Sequence, residues 1–415
     1  MPRLRAYLRS LDPELPGSIW TLELGTFVNF FGSGIAFPFL LIYLHNVRGF
    51  GLGTAGLVLA TNGVAAVAAG PAVGPLIDKV GGRATLGASL LVSAVGWGLF
   101  PLVHEPWHAF LLAAVAGCGT GVFWPSVSVL LVGLTPSEKR HTAFAVQRVA
   151  INLGIGLGGL AGGLIATSSD PGSFTVLFVV DAATFLAMIF VLPLVPEPGA
   201  GVELDSEPAV GGYRQVTRDR VFLRLLGLNV VFISAGYAVF ELLPAFAKNH
   251  NGVSEKWIGV IFFFNTIALV VAQLPVARLI EGRSRLKMLA VMPAAYAVCW
   301  LVVLAGGAWT NGTAAALVFV LAAIAFGLAS CFHGPTQAAL VADLAPARLR
   351  GRYMALSSMS WEVGFVVGPA VGGFVLASEP LALWPLAAAV LAASVVLVLR
   401  TENRIPAALR RTPKQ

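Results

Sequence analysis

The sequence predicts an all-α integral membrane protein of twelve transmembrane helices in two parallel six-helix pseudo-repeats. Three observations carry this. The 415 residues are 57% hydrophobic and 11% charged, where a soluble globular chain holds about 25% charged residues. Apolar runs of about 20 residues, enough to cross a hydrocarbon core of roughly 30 Å, recur from end to end. The stretch from Pro136 to Gly163 realigns on Pro346 to Gly373 at a constant offset of 210, the mark of an internal repeat.

The first run, 18–45, is too long for a signal-peptide core and is taken as a retained helix. Further spans follow at 54–77, 84–103, 107–134, 141–167 and 173–196. A stretch rich in Gly, Pro and acid then interrupts the pattern. It divides the chain into an N-terminal six-helix half (1–196), a linker (197–219), a C-terminal half (220–400) and a basic tail (401–415). The second half offers spans at 220–247, 254–280, 286–306, 312–343, 351–377 and 380–400. The 46 glycines suit such a chain, because helices in lipid associate through small residues. Cys118, Cys299 and Cys331 all fall inside apolar spans, so neither a disulfide nor a metal site is implied.

The net charge of +7 sits in short loops rather than on one patch, which argues against nucleic acid. One alternate set of loops, with both termini, holds clusters such as Lys139 and Arg140, Arg283, Arg285 and Lys287, and Arg348, Arg350 and Arg352. The other set holds Arg48, Lys248 and Lys256. The positive-inside rule therefore predicts cytoplasmic termini and linker, in an inner or plasma membrane. The repeats share one orientation, as expected of halves related by an axis along the membrane normal; transporters bind substrate between such halves.

After the second span stands Gly74-Pro-Leu-Ile-Asp78-Lys79-Val-Gly81-Gly82-Arg83, a small residue at a helix end followed by an acid and two bases in a tight turn. Here the chain resembles the major facilitator superfamily, and within it the twelve-helix drug/proton antiporters, whose loop signature is G-x-x-x-D-R/K-x-G-R-R/K. Gly82 replaces the first residue of the closing basic pair. The resemblance implies that Gly74 lets the second helix pack on the eleventh. It also implies that Asp78 meets the positive N-terminal end of the eleventh helix and loop arginines, latching an outward-facing state; such an anion gains up to about 1 kcal/mol when exposed.

Glycine ladders recur in the fifth span (Gly154, Gly158, Gly162) and the eleventh (Gly364, Gly368, Pro369, Gly372), resembling the family's antiporter motif. At spacing four they form a groove, expected to favour a particular packing between the halves. The first helix, with Pro38 and Tyr43, also resembles that of these antiporters. The resemblance covers essentially the whole chain. One departure is the fourth span, Leu111 to Leu134, which has no arginine where many members carry one linked to proton transfer.

Charges at membrane depth are costly and mark functional candidates: Glu23, Arg148, Asp181, Glu241 and Glu362. Glu23 shares a stripe with Phe27, Phe30, Phe31 and Gly34, so that it floors an aromatic cavity or snorkels as an interfacial acid. Asp181 is expected on a peripheral helix, in a structural hydrogen bond. Glu241 falls near the outer end, as a gate or a solvated acid. Glu362 lies opposite Gly364 and about eleven residues into its helix, roughly 16 Å deep at 1.5 Å per residue. It is a candidate proton or cation site, with Arg148 on the related surface of the fifth span. His333 precedes Gly334-Pro335 and is taken as a satisfied polar contact.

His104-Glu105-Pro106-Trp107-His108 matches a zinc-protease pattern, but Pro106 starts a helix and leaves His104 outside it. The glycine patterns at Gly51 and Gly154 follow no strand and are not nucleotide loops. No catalytic cluster is visible, so a transporter is expected rather than an enzyme, without cofactor or metal. The leading expectation is a monomeric, proton-coupled exporter of small hydrophobic or cationic compounds, whose partners are the substrate, protons and the lipid bilayer. The alternative on the same fold is uptake or movement of lipid-like substrates.

Overall fold

The computed structural model describes residues 15–136, 139–197, 213–346 and 349–412. Among them twelve helices are long and apolar enough to cross a membrane. In chain order they are α1 (Gly17–Val47), α2 (Leu52–Val80), α3 (Gly82–Gly98), α4 (Pro106–Leu134), α5 (Arg140–Ile165), α6 (Pro171–Val191), α7 (Arg220–Phe240), α8 (Glu255–Ile280), α9 (Arg285–Trp309), α10 (Gly312–Ser330), α11 (Arg350–Ser378) and α12 (Leu383–Thr401). The all-helical membrane fold is therefore the one the composition predicts. Of the expected linker, 198–212 lies outside the described residues, as do the first fourteen residues and the last three of the tail.

Two spans expected to be continuous are broken. Helix α7 stops at Phe240, and a short helix, Leu243–Asn251, restarts with Pro244 in its first turn. Helix α10 stops at Ser330 and resumes as a second segment, Gly334–Leu344, again with a proline in the first turn. Proline lacks the N–H that a continuing helix would bond and is at home where one begins. Single π-turns at Tyr43–Val47 in α1 and Ile233–Tyr237 in α7 add further bends in corresponding helices.

The internal repeat shows in the backbone contacts. A Cβ on Gly158 of α5 would lie 2.1 Å from the Phe31 carbonyl oxygen of α1, and one on Gly368 of α11 would lie 2.7 Å from the Ser234 carbonyl oxygen of α7. A Cβ on Gly117 of α4 would lie 2.2 Å from the Asn62 carbonyl oxygen, and one on Gly327 of α10 would lie 2.3 Å from that of Asn265. Asn62 and Asn265 also donate equivalent bonds to Ala113 and Ala323, at 3.2 and 3.0 Å. Residues 31 and 234, like 62 and 265, are 203 apart, while 158 and 368, like 117 and 327, are 210 apart. The two halves thus bury the same close helix pairs.

The ladder glycines, expected to set packing between the halves, set it within each half. Gly154, Gly158 and Gly162 face α1, and Gly364, Gly368 and Gly372 face α7 and its continuation. Positions just beyond each stripe face the other half. A Cβ on Gly56 of α2 would lie 2.3 Å from the Pro369 carbonyl oxygen and 3.1 Å from the Gly373 Cα. Its repeat mate Gly259 of α8 would place one 2.6 Å from the Gly159 carbonyl oxygen and 3.0 Å from the Gly163 Cα. The α2–α11 and α5–α8 pairs are the seams that join the halves.

Candidate functional site

A cavity of about 340 Å³ opens between the halves, within the range of small-molecule sites. Its wall is largely aromatic. Phe30 of α1 meets Phe123 and Trp124 of α4 at centroid distances of 5.8 and 5.5 Å, and Phe37 meets Trp97 of α3 at 6.3 Å. Phe185, Phe262 and Phe365 bring α6, α8 and α11 to it. Asn29, Ser33, Asn62, Ser93 and Thr120 supply neutral polar groups. Three carboxylates complete the lining, Asp181, Glu241 and Glu362, and no Lys, Arg or His stands among the described residues around it.

Each carboxylate is placed by a local feature. Asp181, expected at the periphery, is 2% exposed and lines the cavity because α6 packs directly on α1. Gly32 allows that approach, since a Cβ there would lie 2.0 Å from Thr184 Oγ1 and 2.9 Å from Asp181 Oδ1. Ser33 Oγ then donates to Asp181 Oδ1 at 3.5 Å. Glu241 follows the last residue of α7, and the break at that point turns it into the cavity rather than leaving it in an outer loop. Glu362 sits half-buried on the face of α11 opposite Gly364, one turn before Val366, whose methyl covers Gly63 of α2.

The structure does not bring the other candidates into this lining. Glu23 is 2% exposed, and neither carboxylate oxygen has a hydrogen bond among the described residues. Of its supposed aromatic stripe, Phe30 and Gly34 line the cavity, whereas Phe27 and Phe31 are not among its described lining. The cavity face of α1 is centred instead on Asn29, Ser33 and Phe37, so Glu23 does not floor a pocket with Phe27 and Phe31. Arg148 is exposed and lies over the start of the second α10 segment, with Nη1 2.8 Å from where a Cβ of Gly334 would be. It contacts α10 rather than pairing with Glu362.

His333, taken as a satisfied polar contact, is satisfied on one side. Its Nε2 is 2.7 Å from Asn229 Oδ1, while Nδ1 is buried with no partner among the described residues. Asn229 Nδ2 donates to Ser360 Oγ at 2.6 Å, and Ser360 donates to the Ser357 carbonyl. This chain ties α7, α10 and α11 together. The zinc-like pattern is a helix start, because His108 Nδ1 accepts the backbone N–H groups of His104 and Glu105.

Access to the cavity is asymmetric. On the side away from the basic loops, Asn46 donates to Asn249 at 2.5 Å across the halves. There too the Ser168 backbone N–H and hydroxyl both donate to Glu255, which also pairs with Lys248 at 3.0 Å. On the basic side, α2 from Gly70 to Val80 is exposed apart from buried Val73 and half-buried Ile77, and a Cβ on Gly74 would meet nothing within 4 Å. The halves are closed on one side and parted on the other. Gly74 and Asp78 accordingly stand exposed, and no contact of the kind expected of a latch with α11 is made among the described residues. Gly81 turns the chain with φ +89°, and Arg83 is held to Glu197 at 3.6 Å. Lys79 is exposed beside them.

Comparison with known proteins agrees with this architecture. The family model described as Major Facilitator Superfamily matches residues 22–310 and 242–414. An uncharacterized MFS-type transporter of Bacillus subtilis strain 168, YttB, is 24% identical over 86% of this chain and 88% of its own. The multidrug resistance protein MdtH of Cronobacter sakazakii is 26% identical over 83% of this chain and 82% of its own. The crystal structure of the nucleoside transporter NupG (D323A mutant) superposes with a TM-score of 0.77 at 14% identity, covering 93% of this chain and all of that one.

Proposed function

The chain belongs to the Major Facilitator Superfamily, and from that premise we propose that it exports small hydrophobic or cationic compounds in exchange for protons, by alternating access. The observation that carries this is the cavity, aromatic in its walls and supplied with Asp181, Glu241 and Glu362 but with no basic side chain among its described lining. Aromatic faces attract cations and apolar rings alike. A carboxylate in a low-dielectric site attracts a cation far more strongly than one in water. The same carboxylates take up a proton when the cargo leaves, so cation and proton compete for one set of groups. The multidrug relatives at about 25% identity support the substrate class.

The geometry is compatible with such a cycle. The parted basic side admits cargo, taken as the cytoplasmic side from the loop charges. Closing α2 on α11 there buries Gly74 and brings Asp78 to the helix start, while the Ser168–Glu255 and Asn46–Asn249 contacts open on the other side. The proposed substrate and proton sites lie between the two seams, in a cavity that Gly63, Ile155, Phe262 and Phe365 line from α2, α5, α8 and α11, so rocking about the seams changes access without rebuilding the site.

The test is binding of tetraphenylphosphonium, a permanent lipophilic cation, to purified protein over a pH range. The proposal expects affinity to fall as pH is lowered. It expects Asp181→Asn, Glu241→Gln and Glu362→Gln to weaken binding and, combined, to remove its pH dependence. Binding that ignores both pH and all three substitutions excludes this function for the cavity.

A further inference from the structure

Arg148 stands exposed at membrane depth and makes no ion pair among the described residues. A guanidinium in such a position is kept where water or a ligand reaches it. Its fork lies over Gly334, with Nη1 and Nη2 at 2.8 and 3.2 Å from the Cβ position there. At that point the second α10 segment begins, and a helix start presents unbonded N–H groups and a positive dipole end. The first turn of the segment is also polar and unsatisfied. Thr336 Oγ1 and both side-chain polar atoms of Gln337 are buried with no partner among the described residues, at 4% and 3% exposure.

His333 adds a constraint. Asn229 Nδ2 is engaged as a donor to Ser360, so its Oδ1 accepts, and His333 Nε2 must carry the hydrogen. An imidazole, neutral or protonated, carries no negative charge, so His333 is not a counter-ion for Arg148. The site is also next to the cavity. Trp361, adjacent to Glu362, packs its ring 5.2 Å from that of His333. Ile155, which lines the cavity, is seven residues beyond Arg148 on α5, about 10 Å at 1.5 Å per residue.

We infer that Arg148 and the start of the second α10 segment form an anion subsite, and that the protein selects zwitterionic substrates whose cationic end lies among the cavity carboxylates and whose carboxylate reaches Arg148. This rests on the cavity reading above and narrows it to a substrate class. Charge-assisted, two-pronged bonding to a planar carboxylate is what a guanidinium provides and an ammonium does not.

The experiment uses rhodamine 19, a zwitterion, and rhodamine 6G, its ethyl ester, which is a cation alone. Fluorescence titration is done with full-length protein in phosphatidylcholine vesicles, so that no anionic lipid headgroup supplies the anion. Arg148→Gln should weaken rhodamine 19 about tenfold and leave rhodamine 6G unchanged, while Arg148→Lys recovers only part of the loss. Unchanged ester binding shows that the variant is folded. Equal losses for both dyes, or no loss for either, overturn the anion subsite while the cavity reading stands on the ester and its response to Glu362→Gln. If the parental protein binds neither dye, the cavity reading fails first and this inference falls with it.

Discussion

Gly158→Ala adds a single methyl to the α1–α5 seam, and the structure sets its cost. The new Cβ would stand 2.1 Å from the Phe31 carbonyl oxygen and 3.0 Å from the Gly34 Cα, where ordinary contact begins at 3.4 Å. The two helices must part by about 1.3 Å (3.4 less 2.1), because the obstacle is main chain and cannot rotate away. Overpacking costs about 1–3 kcal/mol, and a main-chain obstacle places this case at the upper end. Alanine returns up to about 1 kcal/mol through its helix propensity. The net loss is about 2 kcal/mol. Gly74→Ala is the control, since nothing lies within 4 Å of that position and only the propensity gain remains, up to about 1 kcal/mol. Thermal unfolding of purified protein in detergent, followed by loss of the monodisperse species, ranks the variants even where unfolding is irreversible. Gly74→Ala should melt at or above the parent and Gly158→Ala below it. Equal midpoints would refute the reasoning, because the close approach of α1 and α5 would then not be sensitive to a methyl group.

Further outcomes follow from the same contacts. Gly368→Leu should block folding or cycling, because a Cβ there already meets Ala238 Cβ at 2.4 Å; folded protein with parental transport contradicts this. Asp78→Asn should lower turnover several-fold more than it lowers substrate affinity, since Asp78 is assigned to one end state and stands far from the cavity lining. Parallel losses in rate and affinity would remove it as a latch. Asn46→Cys with Asn249→Cys joins two side chains now 2.5 Å apart across the halves. Oxidation should arrest transport and reduction restore it, and an oxidised, cross-linked protein that still transports would show that this side need not open.

Much of the fold was legible because a membrane helix is announced by some twenty apolar residues and little else. All twelve spans fall where apolar runs predict them, and the offset of 210 survives as matched backbone contacts. The breaks at Glu241 and at Cys331–His333 were not read, although Pro244 and Gly334-Pro335 carried the signal, because prolines also occur inside membrane helices such as α2 and α4. The site was half legible. Depth along a helix is readable from sequence, which singled out Glu362. Which way a helix faces is not, so Asp181 was placed at the periphery although Ser33, 148 residues away, holds it at the cavity. Helical spacing alone also could not separate Phe30 from Phe27 and Phe31, neighbours on one apolar arc. The neutral groups Asn29, Ser33, Asn62 and Thr120 were missed, and polar residues recurring on one face of an apolar span were their only signal.

The central claim, that the cavity carboxylates couple cargo to protons, is tested most directly by dye movement in proteoliposomes under an imposed pH gradient. Parental protein and Glu362→Gln are compared at matched incorporation. The account predicts that the gradient accelerates transport by the parent, and that Glu362→Gln still binds a neutral hydrophobic substrate but loses the acceleration. Gradient-driven transport at the parental rate in Glu362→Gln would contradict the assignment of Glu362. Persistence of that rate when Asp181→Asn and Glu241→Gln are added would contradict proton coupling through the cavity altogether.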